Sequence, residues 1–284
     1  MTKARISASP TRVHAELIRS AFWSRAGLML LGFGLAILYW YLTVDIWQLP
    51  RFRNLPSVHV VFREWFSPNP VYGLSIYTPQ YYRDIGYSLL RVGIAFSLAT
   101  LLGVPLGLML GWSQRFQDYV FPIFEVLRPI PPLAWVPFAI LMFSGTETPV
   151  IFLTFLASFF ATALTSMLGA RSIDPSLVRA ARCLGASEWT LFIHVIVPGA
   201  LPSIFGGLQT SIGVAWFSLV AAEMVSGQYG LGYLINTGYS MATYPTIFIG
   251  MITLGLVGYA TSILLRLLER VLVRGRDGEK GGLS

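Results

Sequence analysis

The chain is poor in the residues that build reactive or cross-linked sites. Cys183 is its only cysteine, which excludes an internal disulfide. His14, His59 and His194 are the only histidines, and they lie too far apart for metal-ligand spacing. No H-E-x-x-H run is present, so a membrane-embedded metalloenzyme lacks its core motif. No G-x-x-x-x-G-K-[ST] loop is present either, so the chain does not itself bind and hydrolyse ATP. Charged residues make up only 12% of the chain, where soluble domains carry about 25%. The net charge is +7, yet no run of five basic residues occurs. That argues against nucleic acid as a partner.

What fills the sequence instead is apolar. Of 284 residues 55% are hydrophobic, and the mean hydropathy is +0.64. Long apolar runs separated by short polar stretches predict an all-α, polytopic membrane protein of about six transmembrane helices, each span needing about 20 residues. The runs are 27–44, 86–112, a third from about 118 to 143, then 149–170, 201–225 and 244–265. The third is interrupted by Pro129, Pro131, Pro132 and Pro137. A broken helix in a membrane borders a cavity, because its freed backbone groups need protein or water partners. The first run starts basic like a signal peptide. It ends in Tyr39-Trp40-Tyr41 without a small-residue cleavage site, and so reads as an uncleaved span. The proline-rich stretch 45–84 reads as a loop with a short surface helix near 58–66.

Lysine and arginine fix the expected orientation. With the N-terminus inside, inside segments hold fourteen of them and outside segments only Arg51, Arg53, Arg63 and Arg83. The reading is therefore N-in and C-in. Residues 1–26 form a cytoplasmic segment, 27–84 the first span and a periplasmic loop, 85–272 the membrane core, and 273–284 a cytoplasmic tail. Membrane lipid is an expected partner of such a surface.

Between spans four and five the sequence predicts a cytoplasmic helix at 175–184. Asp174 suits its N-cap, Pro175 its first position and Gly185 its end. The Ala180–Ala181 pair permits close approach of a partner, and Arg179 and Arg182 supply charge. Composition alone also allows an ordinary connector with positive-inside arginines.

Four ionisable residues fall within spans: Arg91, Glu125, Arg128 and Glu223. Such groups are costly in a membrane and mark pathways or buried pairs. Arg91 and Glu223 both fall toward the outer side, where they can form a structural pair or border a solute path. Glu125 and Arg128, spaced i,i+3, read as a local pair or as snorkelling groups. Gly103, Gly107 and Gly111 form a small-residue face for packing within the chain or against a second copy, and Pro105 within it suggests a kink. Trp135 and Trp216 read as packing residues or a gate. Ser158, Thr162 and Ser211 read as bonded back to their own helices.

The segment Arg179-Ala180-Ala181-Arg182-Cys183-Leu184-Gly185, closed by Val195-Ile196-Val197-Pro198, resembles the EAA loop of binding-protein-dependent ABC importer permeases. Leu127-Arg128-Pro129-Ile130-Pro131-Pro132-Leu133-Ala134-Trp135-Val136-Pro137 resembles the nitrate/sulfonate/taurine branch of that family. So do Gly213-Val214-Ala215-Trp216, Val220-Ala221-Ala222-Glu223-Met224 and Gly230-Leu231-Gly232-Tyr233-Leu234-Ile235. The resemblance covers about 87–274, two thirds of the chain. Arg179 stands where the family's usual loop glutamate is found; taurine-type permeases resemble this chain in that arginine.

The resemblance implies an inner-membrane permease that imports a small anionic or zwitterionic solute, with taurine or another sulfonate favoured. Nitrate, bicarbonate or an aromatic acid is the alternative within the branch, and a passive channel the alternative class. It implies that Pro175, Arg179, Ala180, Ala181, Arg182 and Gly185 couple to an ATPase. Arg91, Glu125, Arg128, Trp216 and Glu223 are its pathway candidates. Implied partners are two ATP-binding cassette subunits, a periplasmic or lipid-anchored solute-binding protein and a second permease copy, most simply in a homodimer. No cofactor is implied on this chain; ATP and Mg belong to the partner ATPase.

Overall fold

A computed structural model describes residues 27–52 and 54–273. The N-terminal segment 1–26 and the tail from 274 onward, both read above as cytoplasmic, lie outside the described residues. The chain divides into two compact units between Arg63 and Glu64. All regular structure among the described residues is helical.

The first unit holds α1 (Gly27–Ile46), long and apolar enough to cross a membrane. Its last turn, Leu42–Ile46, is a π-helix. There Thr43 Oγ1 donates back to the carbonyls of Tyr39 and Trp40, and Trp40 Nε1 donates to the Pro56 carbonyl at 3.2 Å. The short helix α2 (Val58–Trp65) forms where the sequence predicts it.

The second unit starts earlier than residue 85. Glu64 is buried and its carboxylate accepts from the backbone N–H groups of Val71 and Tyr72. Trp65 Nε1 donates to Tyr81 Oη at 3.3 Å. These bonds tie 64–78 to α3 (Pro79–Trp112), which begins with Pro79 in its first turn. At 34 residues α3 is ~50 Å long, more than a ~30 Å hydrocarbon layer requires. Pro105 sits inside it without ending it.

The next elements are α4 (Gln114–Leu127) and α5 (Val136–Met142). They are bent by 85° at a proline-rich break. Prolines there cannot donate to the preceding turn, so the ladder stops. Then follow α6 (Glu147–Arg171), α7 (Pro175–Cys183), the single turn α8 (Glu188–Leu191) and α9 (Val197–Ser226). A π-turn, Phe192–Ile196, joins α8 to α9. The uncharged stretch 226–243, given no element by the sequence reading, holds α10 (Leu231–Ser240). The last helix, α11 (Tyr244–Val273), is longer than the expected 244–265.

Contacts fix the helix directions. A Cβ built on Gly103 meets Thr162, one on Gly107 meets Ser166, and one on Gly111 meets Ala170; Arg91 meets Glu147. Residue numbers rise together on both helices, so α3 and α6 are parallel. The chain between them must return from the C-terminal end of α3 to the N-terminal end of α6. The bent α4–α5 pair therefore crosses the layer as one span rather than forming a re-entrant loop. Against α6, α9 runs antiparallel: Gly207 faces Thr165, Ser211 faces Thr162, and Ser218 reaches Leu153. In turn α11 is antiparallel to α9, since Trp216 meets Thr261 and Gln209 meets Glu269. The second unit thus makes five crossings, and α1 is apolar enough for a sixth.

The α3–α6 seam is built by removing side chains. Ala95, Ala99, Gly103 and Gly107 are buried along one edge of α3. A Cβ on Gly107 would lie 2.7 Å from the Ser166 Cβ. The small-residue face is thus an internal packing face. With no water to expel inside a bilayer, such close van der Waals contact is what holds helices together. We expect Gly107→Ala to destabilise the protein by about 1–3 kcal/mol through overpacking. Gly93→Ala, with open space around it, is expected to leave stability unchanged. Thermal unfolding of both variants in detergent checks the pair.

Candidate functional site

The two ends of the helix bundle carry different chemistry. One end bears α7, which the sequence predicted to within a residue. Asp174 Oδ1 accepts from the Ser176 N–H at 2.8 Å. That bond holds the Asp174 carboxyl below the usual carboxylate range, so the cap is charged at neutral pH. Pro175 opens the helix, Leu184 caps it, and Gly185 turns the chain with φ +81. A side chain there would be strained by roughly 1–2 kcal/mol. No residue of α7 is buried. Arg179 and Ala180 are exposed and Ala181 half-buried. Arg182 makes an exposed ion pair with Glu188 at 2.9 Å, which ties α7 to α8. Leu177, Leu184 and Trp189 are also exposed. The element is capped, without buried residues and partly apolar, and it carries two arginines.

The other end is organised by Arg91. Its side chain is fully buried, and so is that of Glu223. Arg91 Nη1 donates to Glu223 Oε1 at 2.8 Å and to the Tyr229 carbonyl at 2.6 Å. Its Nε and Nη2 grip Glu147 as a fork, at 2.7 and 2.6 Å. A guanidinium has five N–H groups, and four are committed here. Glu223 Oε2 also accepts from the Gly232 N–H at 2.8 Å. Ser88 Oγ lies 2.8 and 3.0 Å from its two oxygens and accepts from the Leu231 N–H at 2.9 Å. Asp84 Oδ1 accepts from the Gly230 N–H at 3.1 Å. Tyr87 stacks on Tyr229, and the Arg83 guanidinium lies 4.5 Å from that ring's centre. Side chains of α3 and α9 thus pin the turn into α10, and Glu147 of α6 joins them through Arg91. Gly230 and Gly232 let its backbone approach the Glu223 side chain, against which a Cβ at either would clash. From Arg91 to Gly111 is ~30 Å along α3, so the cluster lies near one boundary of the apolar layer and Trp112 near the other.

The remaining sequence candidates are dispersed. Glu125 and Arg128 are exposed on and just after α4, and no ion pair joins them among the described residues. Trp216 is buried, donating to Thr261 Oγ1 at 3.0 Å across the α9–α11 seam. Trp135 packs edge-on against Phe138. Ser158 bonds back to Thr154 as expected. Thr162 and Ser211 do not follow that expectation. Their hydroxyls meet at 2.8 Å, and Ser211 lies 2.8 Å from the Ser158 carbonyl, so they bridge α6 to α9. The small residues along that seam bring the backbones close enough for it. Among the described residues no group of three potential metal ligands occurs.

Sequence reasoning allowed Arg91 and Glu223 either to pair or to border a path, and it missed Glu147, Ser88 and Asp84. Glu147 looks like an ordinary acid at a helix start. Ser88 and Asp84 look like polar residues near a span's end. The quoted Gly230-Leu231-Gly232 motif was the available signal, though its role was not legible.

Residues 103–277 match the family model described as binding-protein-dependent transport system inner membrane component. The chain is 35% identical to the taurine transport system permease protein TauC of Escherichia coli, over 70% of this chain and 74% of that protein. It is 36% identical to the nitrate import permease protein NrtB of Synechocystis, over 80% and 85%. The putative aliphatic sulfonates transport permease protein SsuC of Bacillus subtilis is 30% identical over 99% and 100%. In fold, the chain resembles an inward-facing MetNI methionine ABC transporter at TM-score 0.57 and 21% identity, covering 68% of this chain and 94% of that one.

Removing Arg91 leaves the buried Glu223 carboxylate without its counter-charge. We expect Arg91→Gln to destabilise the protein by about 3–5 kcal/mol. Glu147→Gln, which leaves the Arg91–Glu223 pair in place, should cost clearly less. Denaturant titration of both variants in the same detergent measures the difference.

Proposed function

We infer the function from a single premise: this chain belongs to the binding-protein-dependent transport system inner membrane components, as a multi-pass permease subunit of an ABC importer. On that basis we propose that it carries a small anionic or zwitterionic solute inward, with taurine or another sulfonate as the solute. Three of its relatives are named for taurine, aliphatic sulfonates and nitrate, which share a small oxyanionic group. The long sulfonate relative and the arginine at position 179 favour the sulfonate.

The observation that carries the coupling mechanism is α7. It is a capped helix with no buried residue, at the joint between α6 and α9. Here it faces the cytoplasm and docks in a groove of an ATP-binding subunit, with Ala180 and Ala181 at the contact and Arg179 and Arg182 at its rim. Two permease copies and two ATPases complete the machine, and ATP with Mg is held by the ATPases. Closure of the ATPases on ATP draws the two α7 helices together and opens the path outward. A solute-binding protein then delivers its ligand, and hydrolysis restores the inward-facing state. Direction comes from alternating access, without chemistry on the solute. The positive-inside count supports N-in and C-in termini, and five crossings plus α1 are compatible with both termini on one side.

Among the charged pathway candidates, Glu125 and Arg128 remain open to a solute, because both are exposed at the bend of α4–α5. The donors of Arg91 are nearly all taken, so its role is to hold helices together. The same holds for Glu223, and Trp216 is a packing residue. An exposed arginine suits the bidentate recognition of a sulfonate.

The test is ATP hydrolysis by the permease reconstituted with its ATPase and binding protein, with taurine, alkanesulfonates, nitrate and bicarbonate added singly. Stimulation by a sulfonate is expected, and Ala181→Trp should abolish it while the complex still binds nucleotide. Failure of any ATPase to associate would remove the importer mechanism. Stimulation by nitrate alone would move the solute to the second oxyanion class. Arg128→Gln is expected to raise the transport KM about tenfold; an unchanged KM removes it from the path.

A further inference from the structure

We propose that the Arg91–Glu147 pair is a latch at the outer end of the permease, controlling the joint between α5 and α6. Glu147 is the positioning residue and acts through Arg91. The assignment of this end as outer, and of a transport cycle that opens it, rests on the importer reading above.

The two carboxylates bound to Arg91 are held differently. The Glu223 side chain is fully buried. Beyond Arg91 it is bonded by Ser88 and by the Gly232 N–H, so it stays in place whatever happens on the other side. The Glu147 side chain is 44% exposed. Among the described residues Arg91 is the only hydrogen-bond partner of its carboxylate. When the Arg91–Glu147 fork parts, water can take over only the exposed Glu147 carboxylate, while Arg91, closed to water, keeps Glu223 as its counter-charge. Water reaches neither partner of the Arg91–Glu223 bond, where separation would strand two buried charges. One contact of the hub is therefore reversible and the other permanent.

The backbone beside Glu147 suits a moving joint. Only Phe143 to Thr146 separates α5 from α6. Gly145 in this stretch has φ +86, with open space around it, so it can absorb a dihedral change at no steric cost. Thr146, at the N-cap position, makes no side-chain capping bond. The first turn of α6 is thus fastened by Glu147 to Arg91 instead of by a cap. On the far side of the joint α5 is only seven residues long and buries just Val136 and Ala139. By contrast α3, α6 and α9 are clamped along their length by the glycine seam and the hydroxyl bridges. With the latch released, the first turn of α6 is free to move with Gly145 and α5, while α3, α9 and the rest of α6 remain one body. That admits solute from outside alongside the bent span.

Hydrogen exchange read by mass spectrometry on the permease in lipid nanodiscs tests this. The amides of 143–152 report the joint, and those of 227–234 report the permanent side of the hub. In Glu147→Gln without ligands, 143–152 is expected to exchange about fivefold or more faster than in the wild type, with 227–234 unchanged. In the wild-type complex, trapping with ATP, vanadate and the loaded binding protein should accelerate 143–152 in the same way. ATP hydrolysis in the absence of binding protein should rise about fivefold in Glu147→Gln. Equal exchange of 143–152 in variant and wild type overturns the latch, as does equal exchange in resting and trapped wild type. If the substitution loosens 227–234 as well, the wild-type comparison alone decides. If no ATPase associates, the importer reading has failed, and the comparison of the permease alone with its variant still decides the latch.

Discussion

One guanidinium organises the end of the bundle opposite α7. Arg91 reaches Glu147 on α6, Glu223 on α9 and the Tyr229 carbonyl before α10. An arginine suits this place because its planar fork serves several acceptors at once and stays charged in an apolar setting. The arrangement imposes its own constraints. Glu223 is tolerable without solvent only while Arg91, Ser88 and the Gly232 amide serve it. Those donors fix the turn from α9 into α10. Gly230 and Gly232 are glycines because a Cβ would collide with Glu223.

Below the hub the same three helices are joined without charge. A small-residue edge lets α3 lie against α6, and hydroxyls on α6 and α9 bond across their seam. These interactions are individually weak, yet they repeat along the whole thickness of the layer. The α7 connector is inserted between two of these helices at the far end. Movement imposed on α7 is therefore delivered to a stiff body, and the bent α4–α5 span is the element with the loosest attachment to it. The helices of that span bury only Phe124, Val136 and Ala139. The division of labour between stiff body and loose span is a consequence of where glycine, serine and proline fall in the chain.

The α7 helix was legible in the sequence because its determinants are local. Asp174, Pro175 and Gly185 act within one or two turns of themselves, and the observed helix ends at Cys183 where 184 was expected. The third span was legible as broken because proline removes a donor at its own position. Its status as a full crossing needed a tertiary fact, the parallel run of α3 and α6. Glu147 was not legible at all, since its partner lies 56 residues away and nothing near it signals a bond. Thr162 and Ser211 were assigned to their own helices because back-bonding is the local choice. Close approach of α6 and α9 offered a better one.

By itself the sequence determined the class of solvent, the number and rough extent of the spans, and the position of the projecting helix. Each of these follows from hydrophobic runs or from capping within a few residues, and short-range physics is written directly in residue order. Tertiary structure decided which charged groups are partners, which small residues are seams, and that the broken span crosses the layer. Those outcomes depend on distances between helices far apart in the chain. A buried charge must take whatever partner the packing brings within reach. Here the packing brought Arg91 two carboxylates, one sealed from water and one open to it.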